Sequence, residues 1–495
     1  MKINYQIIFY FFGILLMFNG GFMFIASILS FIYNDGITDS LIVSGIIVLS
    51  LGAFSTIYNR NFDKNLNKRE GYIVVIFGWI VMILSGSIPY LLTNSIDGFT
   101  NIIFETTSGY TTTGATILDS IESLPKGLIF WRSITHWIGG MGIIVLAIAI
   151  LPLLGIGGMQ LFSAEAPGPS ADKLHPRITD TAKRLWLIYL SFTLIETLLL
   201  TVFGMSFFDA INHSMSNIAS GGFSTKDSSL AFWNSQPIIQ YIVIFFMLIA
   251  GTNFILLYYV FKGKFNKIKL DEEFNLYFRI IIFFALMVSL LVFFNSNFLL
   301  SDDISLFSRI EAVVRHSLFQ VVSIVTTTGF VTADYTSWTP FLLLIFFGLM
   351  FFGGSAGSTS GGFKIVRHLL IIKNGFLEFK RILHPSAIVP VRYNNKSVPS
   401  GIIYNILGFF IIYMLSFMVG ALGFSMFGLD FQSALGVSAS SLGNVGPSIG
   451  DYGPMGTFSQ MPVLAKWWAS FLMLVGRLEL FTVLIVFTAY FWKKR

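Results

Sequence analysis

Ten stretches of the chain are long runs of apolar residues, at 5–32, 40–59, 72–93, 128–155, 185–208, 237–262, 274–298, 340–373, 400–427 and 463–492. One membrane crossing takes about 20 such residues. The first run is longer than a secretory signal core and has no small-residue cleavage site behind it, so it is expected to stay as an anchor. Four shorter, half-polar stretches lie between the long runs, near 98–110, 207–219, 310–325 and 431–441. Apolar runs of about 10–14 residues read as re-entrant or interfacial. The pattern predicts an all-α polytopic membrane protein with ten transmembrane helices and four re-entrant helices.

Composition agrees and narrows the class. Of the 495 residues, 55% are hydrophobic and only 11% charged, against about 25% charged in soluble domains. Mean hydropathy is +0.76. A soluble globular enzyme, a disordered chain and a secreted disulfide scaffold are excluded. There is no cysteine, hence no disulfide, thiolate metal site or thiol nucleophile.

Charge gives the orientation. With the N-terminus in the cytoplasm, 24 of the 31 Lys and Arg fall inside, among them Lys2, Lys64, Lys173, Arg177, Lys494 and Arg495, and six fall outside. Such asymmetry is the positive-inside pattern and predicts both termini in the cytoplasm. The external segments hold 14 acidic residues and are net −8. An acidic face concentrates cations, although ordinary loop composition would account for it equally well.

The four short stretches repeat. The blocks NIIFETTSGYTTTGAT (101–116), DAINHSMSNIASGGFS (209–224), HSLFQVVSIVTTTGFV (316–331) and SALGVSASSLGNVGPS (433–448) align with Gly114, Gly222, Gly329 and Gly446 at one position. Ser108, Ser216, Ser323 and Ser440 align six residues earlier. The glycines are 108, 107 and 117 residues apart, and a long apolar run flanks each block on both sides. The unit is span, short helix, glycine loop, span. It divides the chain into two extra N-terminal helices (1–70) and four membrane-pore-membrane repeats, at 71–160, 161–270, 271–385 and 386–495. Non-helical backbone at membrane depth is tolerated where it lines a watery cavity. Four such loops around one axis would line one central pore, and rings of backbone carbonyls can replace a cation's hydration shell. Helix C-termini aimed at the membrane centre add about half a negative charge each.

The motifs TTTGAT, ASGGFST, TTTGFVTAD and LGNVGP, with WRSITHWIGGMG in the first repeat, resemble the Trk/Ktr/HKT superfamily of potassium transporters. The two extra N-terminal spans and the length look most like its bacterial Trk-type membrane subunits. The resemblance implies a homodimeric potassium uptake permease of the bacterial inner membrane, with one pore per subunit. It also implies a cytosolic nucleotide-binding regulatory partner, a TrkA-like ring. Potassium would be the substrate, and a nucleotide is expected only on that partner. The implied filter is Thr112, Thr113 and Gly114; Ser220, Gly221 and Gly222; Thr327, Thr328 and Gly329; Asn444, Val445 and Gly446. Relatives with Ser at the first glycine tend to pass more sodium, so Gly114 argues for potassium. The fourth loop departs from the Thr-rich pattern, so the pore is expected to be only pseudo-symmetric.

Two features read as gates. The eighth run is interrupted by Gly353, Gly354, Ser355, Ala356, Gly357, Ser358, Thr359, Ser360, Gly361 and Gly362, followed by Phe363 and Lys364. Glycine costs about 1 kcal/mol in a helix interior, so the helix should break here; close helix packing through small residues is the rival reading. The run lacks the GxxxxGK[ST] order of a nucleotide loop. The resemblance makes it a movable intramembrane loop below the filter. Arg477 lies within an apolar run, where a charge costs at least about 2.5–3.5 kcal/mol. The resemblance puts it in the pore as an electrostatic barrier; a structural salt bridge is the rival. Glu105 would either draw cations or pair locally. His136 and Glu196 read as structural. The basic segment Lys364–Lys396 meets anionic lipid or a cytosolic regulator.

Other functions fit less well. A sodium-coupled or sodium-conducting relative is the nearest alternative. An intramembrane enzyme would need a nucleophile with its base, paired aspartates or a metal motif; the runs hold no HExxH and no convincing carboxylate pair. A passive scaffold would not require four glycine loops. Nucleic acid is not an expected partner.

Overall fold

The computed structural model of the protein describes residues 3–60, 68–153, 178–295 and 305–493. The basic residues Lys2, Lys64, Lys173, Arg177, Lys494 and Arg495 lie outside these ranges, as does the junction between the first two proposed repeats.

The fold is almost entirely helical. Among the described residues, six helices are long and apolar enough to cross a membrane: Tyr5–Tyr33, Thr38–Tyr58, Arg69–Thr93, Lys183–Val202, Glu272–Asn295 and Ser400–Met426. The first two pack through glycines. A Cβ on Gly13 would meet the Gly52 carbonyl oxygen at 2.7 Å, and one on Gly20 the Gly45 oxygen at 3.0 Å. Small residues let membrane helices approach this closely where no hydrophobic force drives them together.

The other runs are broken rather than straight. Pro237–Ala250 and Phe254–Phe261 meet at 106°, and Val463–Arg477 and Leu480–Phe487 at 111°. Pro340–Leu349 is followed by non-helical chain up to Lys364, and then by Ile365–Leu383. Lys126–Leu153 holds one non-helical residue, Gly142, at φ 45°. The sequence reading foresaw a break only in the run that carries the glycine-serine loop.

Polarity is arranged inside out. Large apolar side chains such as Phe31, Phe54, Phe283 and Leu422 are exposed, whereas Thr107, Ser108, Asn212, Ser216, Ser323 and Ser440 are buried. The buried polar groups belong to four short helices, Phe99–Tyr110, Phe207–Ile218, Leu306–Val325 and Phe431–Gly443. Side-chain caps start three of them: Ser206 accepts from Asp209, Ser305 from Ser308, and Asp430 from Gln432 and Ser433. Such caps satisfy orphan N–H groups and are worth about 1 kcal/mol each. The four helices coincide with the short half-polar stretches of the sequence.

Candidate functional site: a ring of four glycine loops

All four short helices stop in the same way. The residues just past their ends, Thr112, Ser220, Thr327 and Asn444, are left-handed, with φ between 51° and 55°. The next N–H reaches back to the aligned serine: Thr113 to the Ser108 oxygen at 3.0 Å, Gly221 to Ser216, Thr328 to Ser323 and Val445 to Ser440, each at 2.9 Å. The left-handed residue itself donates to the carbonyl one place after that serine. This is a Schellman motif, usually closed by glycine or asparagine. A β-branched threonine is a true outlier there, costing on the order of 1–3 kcal/mol. Two turns built alike, each with threonine at the strained left-handed position, mark a site where the backbone is forced into one shape.

The loops close on each other. Gly114, Gly222, Gly329 and Gly446 all have positive φ. A Cβ on Gly114 would overlap the Gly221 oxygen, on Gly222 the Thr328 oxygen, on Gly329 the Val445 oxygen, and on Gly446 the Thr113 oxygen. The order runs one to two to three to four and back to one. Only a closed ring satisfies that, and only glycine fits at its four joints. Among the described residues no hydrogen-bond donor reaches the main-chain oxygens of the three ring residues in loops one, two and three, or those of Asn444 and Val445. Gly446 differs: its oxygen accepts from Ser440 Oγ at 2.8 Å. Buried carbonyls are almost always paired. Here eleven of the twelve ring oxygens are left without a donor among the described residues.

Residues 351–364 sit directly beneath the ring. Ser220 Oγ lies 2.9 Å from Thr359 Oγ1, and the Gly361 N–H donates to Thr327 Oγ1 at 2.7 Å. A Cβ on Gly361 would come within 2.6 Å of the Gly443 oxygen. The loop also fills the break at 251–253: Ser355 N–H donates to the Gly251 oxygen at 2.8 Å, and Phe254 N–H to the Gly357 oxygen at 3.1 Å. The polar groups that the broken helix frees are thus taken by the loop.

Arg477 ends its helix rather than lying within one. It donates to the Thr359 oxygen at 2.8 Å, to the Gly140 oxygen at 3.0 Å and to the Gly139 oxygen. The guanidinium therefore bridges the loop to the helix of the first unit, two and three residues before its Gly142 kink. Glu479, at φ 62° in the break, pairs instead with Arg367, whose guanidinium lies 3.9 Å over Phe409. Lys364 Nζ donates to the Ser360 oxygen, across the loop's own base.

The remaining candidates have structural partners. Glu105 and Arg132 form a buried pair at 2.8 Å, and Glu105 also accepts from Thr116 Oγ1 and Ile117 N–H. Local pairing is thus the outcome for Glu105. His136 Nδ1 lies 2.8 Å from Ser216 Oγ, with its ring stacked on Phe223. Glu196 accepts from Asn217 of the second short helix. Above the ring, a cavity of about 230 Å³ reaches all four glycines and is lined by both acids, Asp119 and Asp227, and bases, Arg132 and Lys226. Acids and bases are thus balanced around this cavity.

The TrkH family, described as cation transport protein, has a model that matches residues 39–494. The chain belongs to this family. It is 39% identical over 485 residues to the Trk system potassium uptake protein TrkH of Escherichia coli K12, covering 97% of this chain and 98% of that one. It is 38% identical over 489 residues to the protein of the same name from Halomonas elongata, with the same coverage. The crystal structure of the potassium transporter TrkH from Vibrio parahaemolyticus matches with a TM-score of 0.87 at 36% identity, over 99% of this chain and all of that one. As a TrkH family member the chain is a multi-pass membrane protein.

Sequence reasoning passed over several residues of this TrkH-family site. Gly139 and Gly140, within the motif WRSITHWIGGMG, carry no sequence signal of their role, which is to hold Arg477 through their carbonyls. The polar triplet Gly251, Thr252 and Asn253 inside an apolar run marks the break that receives the loop, and was a visible signal. Glu273, described below, carries no such signal, because it reads as a first-turn acid of an ordinary span.

Proposed function

We propose that the chain is a potassium uptake permease with a channel-like path, conducting monovalent cations through the carbonyl ring of Thr112–Gly114, Ser220–Gly222, Thr327–Gly329 and Asn444–Gly446. The closed order of the four loops, with every ring oxygen but that of Gly446 left unpaired, carries this reading; the relatives' potassium uptake supports it. The arrangement is read as ten spans, six straight and four broken, plus four pore helices, grouped as 1–70, 71–160, 161–270, 271–385 and 386–495. Residues 353–362 are the gate, with Lys364 and Arg477 as the charges that hold it. The chain works in the bacterial inner membrane as a homodimer with both termini cytoplasmic. A cytosolic nucleotide-binding ring sets the gate, and this chain needs no cofactor of its own.

Growth of a potassium-uptake-deficient strain at low potassium, with the cognate regulator expressed, tests transport. Deleting residues 353–362, or replacing Arg477 by Ala, should raise vesicle flux with assembly intact. Unchanged flux would remove the gate reading. Sodium flux equal to potassium flux would favour the sodium-conducting alternative.

A further inference from the structure

We propose that Glu273 is a positioning residue of the gate: one buried carboxylate oxygen that ties the loop, at Ala356, to the start of the helix that follows it, at Val366. The inference rests on reading residues 353–362 as that gate. Glu273 Oε1 accepts from the Ala356 N–H at 2.7 Å and from the Val366 N–H at 3.1 Å. These two groups lie on either side of the segment that touches the ring. Glu273 is 1% exposed. The helix Ile365–Leu383 has no side-chain cap from its own N-cap residue, Lys364, so Glu273 supplies one from another element. A buried carboxylate is held in place by the donors around it, and bonds to a charged acceptor are about twice as strong as neutral ones. Two of them to one oxygen tie the loop to the first turn of Glu272–Asn295.

The clamp is wired to the surface. Its neighbours Asp271 and Glu272 hold a two-stranded hairpin, Arg392–Tyr393 with Lys396–Ser397. Asn394 Nδ2 donates to Asp271 Oδ2 at 2.9 Å, the Glu272 N–H donates to Asn394 Oδ1 at 2.9 Å, and Lys373 Nζ bridges Glu272 Oε2 and the Arg392 oxygen. Asn394 and Asn395 both have positive φ, as a tight two-residue turn requires, so the hairpin is a stiff handle. Movement of this hairpin shifts the turn 271–273 and, with it, the clamp.

The test uses the full chain and its lack of cysteine. Ser355 is buried and its hydroxyl has no partner, so Ser355→Cys introduces one shielded thiol at no cost in hydrogen bonds. Its rate of labelling by a membrane-impermeant maleimide, from the cytoplasmic side of vesicles, reports release of the loop. Adding Glu273→Ala should raise that rate roughly tenfold, equivalent to about 1.4 kcal/mol, and raise potassium flux. Glu273→Gln keeps an acceptor without the charge and should raise it by a smaller factor, about threefold, since neutral bonds are weaker. Asn394→Ala should raise it as well. An unchanged labelling rate in Glu273→Ala, with the melting profile retained, overturns the clamp. If that variant does not assemble, an unchanged rate in Glu273→Gln overturns it. Deletion of 353–362 is run alongside. If the deletion raises flux and the clamp variants do not move the label, the gate stands and the clamp falls. If the deletion leaves flux unchanged, the gate reading falls, and labelling alone then decides whether Glu273 holds the loop.

Discussion

At the scale of single residues, the four glycines do more than bend the chain. Each leaves room for the carbonyl of the next loop, so a side chain on one displaces its neighbour as well as itself. Gly114→Ser, with φ at 83° and a Cβ overlapping the Gly221 oxygen, should spread the first two loops. The expected result is a potassium-to-sodium flux ratio lowered about tenfold, or about 1.4 kcal/mol of discrimination, measured in vesicles with the protein still assembled. An unaltered ratio would mean that the ring is not the selective element. These glycines were legible in the sequence because four of them share a register. The aligned serines were legible too, but their role was not. All four contribute a main-chain oxygen to the helix stop, while their hydroxyls go separate ways: to the Phe330 and Gly446 oxygens in the last two loops, and to His136 in the second. Main-chain roles leave no imprint on residue type.

At the scale of elements, the first short helix is anchored by its charge pair. Glu105 links that helix to Thr116 and Ile117 beyond the ring, and Arg132 reaches across to the Ser224 oxygen at 3.2 Å and stacks on Phe223. Breaking a buried pair by removing one partner costs about 3–5 kcal/mol. Glu105→Ala should therefore lower the melting temperature in detergent and abolish transport together. A well-folded, inactive variant would point instead to a direct role in drawing cations. The short helices could be read from their half-polar runs and their serine and aspartate caps. Of the breaks in the longer helices, the one at 251–253 is marked by its polar triplet, whereas the one at 477–479 is hidden because the run around it stays apolar enough to pass as a straight span. The broken ends at 251–253 are tolerated because the loop takes up the freed polar groups.

At the scale of the whole molecule, the two extra N-terminal helices act as a brace for the first loop. Asn19, fully buried, accepts from the Tyr110 hydroxyl at 2.6 Å and donates to Ser85 Oγ at 2.7 Å, and Tyr110 is the last residue of the first short helix. Asp35, between the two helices, accepts from the Gly127 N–H at 2.7 Å at the start of the next one. Asn19→Leu strands the Tyr110 hydroxyl, at a cost of about 1–3 kcal/mol. It should reduce potassium uptake more than it reduces the amount of protein in the membrane; equal losses would make the brace purely structural. Membrane residence, helical class, the four glycine loops and the family resemblance were all determined by the sequence, since hydropathy and register are properties of the chain read in order. The closure of the ring, the partner of Arg477, the pairing of Glu105 and the clamp at Glu273 were decided only by tertiary structure. Each joins residues tens to hundreds of positions apart, and what selects them is where a buried carbonyl or charge finds its partner once the helices have packed.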